Sequence, residues 1–329
     1  MKRINILIPV MLAAVLCWSG CTKNDADVAG IDNGLITLVV ADNFNLSSFG
    51  AALRRSGMDA TLKTSGPYTA LAPSDGAFNA AGFQGIGNIL TADRLLMTRI
   101  ANYHVLEGKY ELNRLPYLFN QELRSRGGKL FVTHWIKGED TVITINGARV
   151  LAQNIEASNG LIQVINHVLA PYVHEQLGNA VKAEENITLF AQALITSGQM
   201  ETINNSGPYT VFAPSNAAMM AIGYTSVQQV SETNPEVLKR LVNYHIIRNR
   251  RFIYDYVLST GSSNTSRQVM LDGNTVNIQL GEDPAEPGRL GTIILSGTGN
   301  NTGVNVVKKD ILTGNGVLQV IDGVLKITQ

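Results

Sequence analysis

Gly66-Pro67-Tyr68-Thr69-Ala70-Leu71-Ala72-Pro73-Ser74 returns downstream as Gly207-Pro208-Tyr209-Thr210-Val211-Phe212-Ala213-Pro214-Ser215, 141 residues later. Asn102-Tyr103-His104 returns as Asn243-Tyr244-His245 at the same offset of 141, so both copies keep the same distance between the two motifs. The period far exceeds the roughly 20–50 residues of a solenoid unit and is close to the size of a whole domain. Each copy can therefore bury its own core, and two similar domains are expected, over residues 34–173 and 176–328.

Outward from those motifs the elements repeat in order. Leu46, Phe49 and Leu53, echoed by Ile187, Phe190 and Leu194, are apolar at helical spacing, and Gly57 and Gly198 stand where each helix should stop. Tyr68 to Ala72 and Tyr209 to Ala213 read as short buried strands closed by a proline. Ser74 or Asp75, and Ser215 or Asn216, are placed to cap the helix that follows. Leu95, Leu96, Arg99 and Ile100, matched by Val237, Leu238, Leu241 and Val242, predict the face of a further helix running into Tyr-His.

Strands come next: Lys129 to Ile136, Thr141 to Ile145, the hairpin dipeptide Asn146-Gly147, and Ala148 to Ala152. In copy two the same pattern is read in Gln268 to Leu271, Asp272-Gly273 and Thr275 to Leu280. Each copy closes on an Asn-Gly and an apolar strand, Asn159 to Asn166 and Asn315 to Asp322. Helices first and strands afterwards indicate an α+β domain. The closing motifs lie 156 apart, so copy two is longer by 15 residues, assigned to a loop-rich insertion within Gly281 to Gly303.

These residues resemble the fasciclin (FAS1) domain family in three markers, each present twice: Tyr-Thr-x-x-Ala-Pro-Ser, Tyr-His after a helix, and Asn-Gly before a closing Val-Ile. The resemblance implies two tandem β-wedges with packed helices, and adhesion or extracellular binding rather than catalysis. Carried over by position, it points to Tyr103, His104, Tyr244 and His245 as adhesive residues. The alternative reading of those pairs is structural: a ring filling the core and an imidazole hydrogen-bonding backbone at the helix exit.

At the N-terminus Lys2 and Arg3 precede an apolar run, Ile6 to Cys17, too short to span a membrane stably. Ser19-Gly20-Cys21 resembles a bacterial lipoprotein box, which implies a signal peptide over residues 1–20, acylation of Cys21 and a tether over 21–33 whose acidic residues loosely resemble surface-export signals of Bacteroidetes lipoproteins. The expected location is the cell envelope, lipid-anchored in the outer membrane of a Gram-negative bacterium. Lys and Arg number 26 against 26 Asp and Glu, so no overall field favours nucleic acid.

No nucleophile elbow, zinc-protease motif, phosphate loop or metal-ligand spacing is present, and no cofactor or metal is expected. His134, His167 and His174 have no copy-two counterparts. Gly297 to Gly303 superficially resembles a dinucleotide loop, but Val304 to Val307 after it is strand-like. Trp135 reads as a core aromatic beside Phe131 or as a stacking platform. Arg248, Arg250 and Arg251 form a basic cluster peculiar to copy two, a candidate for partner binding alongside the Tyr-His pairs. The expected function is a non-catalytic, membrane-anchored binding or adhesion protein with a protein or glycan partner. The alternative is an accessory subunit of an envelope complex such as a polysaccharide-uptake system.

Overall fold

The computed structural model describes residues 34–327, so the signal segment, Cys21 and the tether lie outside the described residues. Each copy opens with short helices. Ser47–Ser56 buries Phe49 and Leu53, and Thr188–Thr196 buries Phe190 and Leu194. Gly57 and Gly198 then turn the chain at left-handed φ values of 81° and 72°, a conformation open to glycine at little cost.

Seven strands follow in each copy. In copy one they are β1 (Tyr68–Pro73), β2 (Val105–Glu107), β3 (Gln121–Ser125), β4 (Gly128–Lys137), β5 (Asp140–Ile145), β6 (Ala148–Ala157) and β7 (Gly160–Ile165). Copy two has β8 (Tyr209–Pro214), β9 (Ile246–Arg248), β10 (Thr265–Val269), β11 (Thr275–Asp283), β12 (Glu286–Ser296), β13 (Val304–Thr313) and β14 (Gly316–Ile321). The sheet orders, β2-β1-β7-β6-β5-β4-β3 and β10-β11-β12-β13-β14-β8-β9, are the same topology, with β1 parallel to β7 and β8 parallel to β14. The α+β expectation holds for both copies.

Each sheet bends about its sixth strand. β6 pairs with β5 only near its start and with β7 over the rest, and β13 divides itself between β12 and β14 in the same way. Bulges accompany the change. Asn154 (φ 52°) and Asp310 (φ 59°) occupy equivalent points, each exchanging two hydrogen bonds with a buried glutamine, Gln163 or Gln319. Two cores fill each copy, one between helices and sheet (Phe49, Phe78, Met97; Phe190, Met219, Leu238) and one inside the bent sheet (Tyr103, Leu130, Ile143; Tyr244, Ile278, Leu295).

Three expectations need correction. Helix Arg94–Tyr103 buries Met97, Ile100 and Ala101, while Leu95 and Leu96 are 58% and 44% exposed, because one 3.6-residue stripe cannot hold both sets. Asp272-Gly273 joins β10 to β11 and so corresponds to the β3–β4 turn, not to Asn146-Gly147. Gly281 to Gly303 is mostly sheet: β11 runs to Asp283, a turn follows, and β12 occupies Glu286–Ser296 with Gly291, Ile293 and Leu295 buried in alternation. That period of two outweighs the prolines, which stand at the exposed tip. Only Gly297 to Gly303 is loop, tied to the C-terminal segment through Asn300.

Candidate functional site

The duplicated motifs all serve the scaffold. Ser74 and Ser215 accept the Ala77 and Ala218 N–H groups as helix caps. Their neighbours reach further: Asp75 accepts Ser48 N–H at 2.8 Å and Asn216 accepts Leu189 N–H at 3.0 Å, capping helices Ser47–Ser56 and Thr188–Thr196 from a distance. Thr69 and Thr210 each donate to a loop carbonyl and accept a loop N–H.

The closing Asn-Gly is a bracket. Asn159 accepts Ile36 N–H and donates to the Leu62 and Thr64 carbonyls; Asn315 accepts Leu177 N–H and donates to Ile203, Asn204 and Ser206. A Cβ on Gly160 would lie 1.9 Å from the Tyr68 carbonyl oxygen, so only glycine lets β7 lie against β1 there.

Tyr103, His104, Tyr244 and His245 are each 1% exposed or less. Each tyrosine donates to a strand carbonyl, of Lys129 or Thr275. Each imidazole pairs its Nδ1 with a helix carbonyl (Ile100 or Leu241, 2.7 Å) and accepts at Nε2 from a backbone N–H near the end of its copy (Leu169 or Leu325, 3.0 Å). With both ring nitrogens engaged and no access to solvent, these side chains present no adhesive surface in the folded chain.

The arginines diverge. Arg248 is exposed, but Arg250 is 5% exposed and donates to the carbonyls of Thr313, Gly314 and Gly316 while lying 3.7 Å from the Phe131 ring of copy one. Burial lowers its pKa to about 10, and the guanidinium stays charged at neutral pH. Arg251 stacks 4.6 Å from Phe119 of copy one, which in turn packs on Trp135 at 4.5 Å. Trp135 does share a strand face with Phe131, but that face looks to copy two rather than into its own core. The difference between the copies is spent largely on joining them.

The residues that complete the junction carried no sequence signal. Asp255, fully buried, accepts from Asn120 Nδ2 and Thr133 Oγ1 of copy one and from Phe252 N–H of its own helix, Ile253–Ser259. Desolvation raises its carboxyl pKa, and those donors oppose the rise. Lys137 of copy one donates to the Thr260 carbonyl. The hairpin Asn146-Gly147 (φ 49° and 82°, a type I′ turn) rests on Phe252: a Cβ on Gly147 would meet the Phe252 Cβ at 3.1 Å. Helix Ile253–Ser259 has only the short Leu112–Arg114 turn as its counterpart in copy one.

Beside this junction lies a cleft of about 530 Å³ lined by both copies. Copy one contributes Ala148, Arg149 and the segment Asn166–His174. Copy two contributes the end of helix Leu177–Ala183, Tyr254, the tip of the β11–β12 hairpin and Lys309–Leu312 of β13. The hairpin crosses the gap: Glu286 pairs with Arg149 and accepts from Asn166 Nδ2 at 3.1 Å. Those donors draw the Glu286 pKa below the ordinary carboxylate value although desolvation pushes the other way. Among the described residues no group of three or more His, Cys, Asp and Glu is arranged to hold a metal, and no helix is long and apolar enough to cross a membrane.

Compared with known proteins, the Fasciclin domain model matches residues 44–171 and 185–327, more than half of the chain. Human periostin is 31% identical over 196 residues, 60% of this chain and 21% of periostin. Transforming growth factor-beta-induced protein ig-h3 of Sus scrofa is 23% identical over 260 residues, 79% of this chain and 35% of that protein. The chain thus spans only a fifth to a third of these relatives. A solved FAS1 domain pair from the insect cell adhesion molecule fasciclin I aligns at TM-score 0.41 and 20% identity, covering 86% of this chain and 97% of that one.

Proposed function

This chain belongs to the fasciclin domain family, and on that premise we propose that it is a non-catalytic binding protein of the cell envelope, held to a membrane through acylated Cys21 and recognising its partner at the cleft between its two copies. One observation carries the reading. The shared Tyr-His side chains are buried in the scaffold, whereas Glu286, Tyr254 and Asp255, peculiar to copy two, reach the junction and the cleft beside it. Concave sites at domain interfaces are where ligands are most often held, and a volume of about 530 Å³ falls within the usual range.

Two or three acyl chains, at about 0.8 kcal/mol per buried methylene, supply an essentially permanent anchor. Fractionation of cells carrying Cys21→Ser tests the anchor: the variant should leave the membrane fraction or remain unprocessed, and unchanged partitioning would overturn it. Binding is tested by titrating the purified full chain, in detergent, against cell-envelope preparations. Saturable binding is expected without chemical change to the preparation; its absence, or release of reducing ends or peptides, overturns the reading.

A further inference from the structure

The chemistry of the cleft wall narrows what can bind there. Its arginines, lysine and carboxylates already have partners: Arg149 and Arg289 with Glu286, Lys309 with Asp283 at 4.0 Å, Glu184 with Lys308, and Asp310 with the Ile253 N–H and Gln319 Nε2. An ionic ligand would have to displace one of these pairs and leave the released charge without compensation. The remainder of the wall combines apolar residues (Leu290, Ile311, Leu312 and Pro171), the half-buried rings of Tyr172 and Tyr254, and the neutral polar side chains of Asn166, His167 and His174.

Polar capacity remains even so. A guanidinium carries five N–H donors and a carboxylate about four acceptor positions, more than the Arg149–Glu286 contact uses; Asn166 accepts the Arg149 backbone N–H and donates to Glu286, and the guanidinium lies 5.8 Å from the Tyr254 ring, leaving that ring's other face open. The wall therefore offers fixed donors and acceptors side by side, no uncompensated charge, and aromatic faces. A pyranose ring matches that set, with one face of C–H groups to lie on a tyrosine and a rim of hydroxyls that donate and accept at once. A peptide matches less well, because its charged side chains would meet the paired walls.

We propose that the cleft between the two copies is a binding site for an uncharged oligosaccharide, with Tyr172 and Tyr254 as stacking faces and the Arg149–Glu286–Asn166 set bonding its hydroxyls. This rests on the reading of the cleft as the recognition site. The test is calorimetry of the full chain in detergent against uncharged gluco-, manno- and xylo-oligosaccharides of about four to six sugars, with oligogalacturonate as the charged comparison. At least one uncharged probe should bind saturably and more tightly than the charged one. Tyr254→Ala should weaken it by at least about tenfold, as loss of one aromatic contact implies, while exposed Arg248→Ala leaves it unchanged. Should Tyr254→Ala melt early, Tyr172→Ala on the connecting segment carries the same expectation.

No binding by any uncharged probe, preference for oligogalacturonate, or full binding by the tyrosine variants overturns the proposal. Envelope binding that is saturable yet unaffected by the preferred sugar would leave a binding protein whose cleft is not a glycan site. Loss of envelope binding altogether would instead remove the reading beneath it.

Discussion

The two buried histidines make the scaffold sensitive to acid in a direction and amount the structure sets. His104 and His245 are wholly enclosed, and Nε2 of each accepts a backbone N–H, so a second ring proton would displace the Leu169 or Leu325 amide. Burial lowers both pKa values from 6.5 to about 4. A difference of that size is worth about 3 kcal/mol per imidazole. The unfolded chain takes up its proton near pH 6.5 and the folded chain only near 4. The contribution is therefore complete above about pH 6.5, falls as pH drops toward 4, and levels off below.

Copy one is the cleaner reporter. In copy two, burial raises the carboxyl pKa of Asp255, and that of Asp310 to about 6; their protonation on the way down works against the loss at His245. Urea denaturation followed by Trp135 fluorescence, at about pH 7.5 and 4.5, should show copy one losing most of those 3 kcal/mol. Imidazole resonances should hold one neutral tautomer, Nδ1–H, from about pH 7.5 down to about pH 5, and begin to titrate only below it. A His104 resonance that titrates near 6.5, or a stability that does not change, would refute the reasoning and return the Tyr-His pair to the accessible surface.

Other perturbations separate junction from surface. Asp255→Ala leaves Thr133 Oγ1 and Phe252 N–H without their acceptor and Asn120 Nδ2 with only the Arg250 carbonyl; at about 1–3 kcal/mol for each orphaned buried group, the loss should reach at least about 2 kcal/mol and open the 166–176 connection to limited proteolysis. Arg250→Lys cannot reproduce three carbonyl contacts and a stacked plane, so about 2 kcal/mol should disappear from denaturant midpoints, against less than about 0.5 kcal/mol for Arg248→Ser. Equal effects from the two arginines would contradict the separation.

Much of the scaffold was legible because its signals are local and occur twice. The Ser74 and Ser215 caps, the left-handed glycines and the Asn146-Gly147 turn are each decided within a few residues. The junction was not, since its meaning depends on partners far along the chain: Asn120 and Asp255 are 135 residues apart, and Arg149 and Glu286 are 137 apart. Nothing near Asp255 marks it for burial, and three arginines in four positions read as a surface cluster although the backbone turns one inward. The β12 strand was harder to read: Ile293, Ile294 and Leu295 are apolar in a row, so the alternation of buried and half-buried positions leaves no polar–apolar period in the sequence, and prolines stand close by. Of the three arginines peculiar to copy two, Arg250 and Arg251 lie over Phe131 and Phe119, in the other half of the same chain.

Filling the cleft tests the central claim most directly. Ala170 and Ala183 line it from opposite copies and both are exposed, so Ala170→Trp and Ala183→Trp together should occupy the cavity without disturbing either core. Saturable binding to envelope preparations should fall to background while the melting temperature stays near that of the unaltered chain. A double variant that folds normally and binds with undiminished affinity would place recognition elsewhere on the molecule.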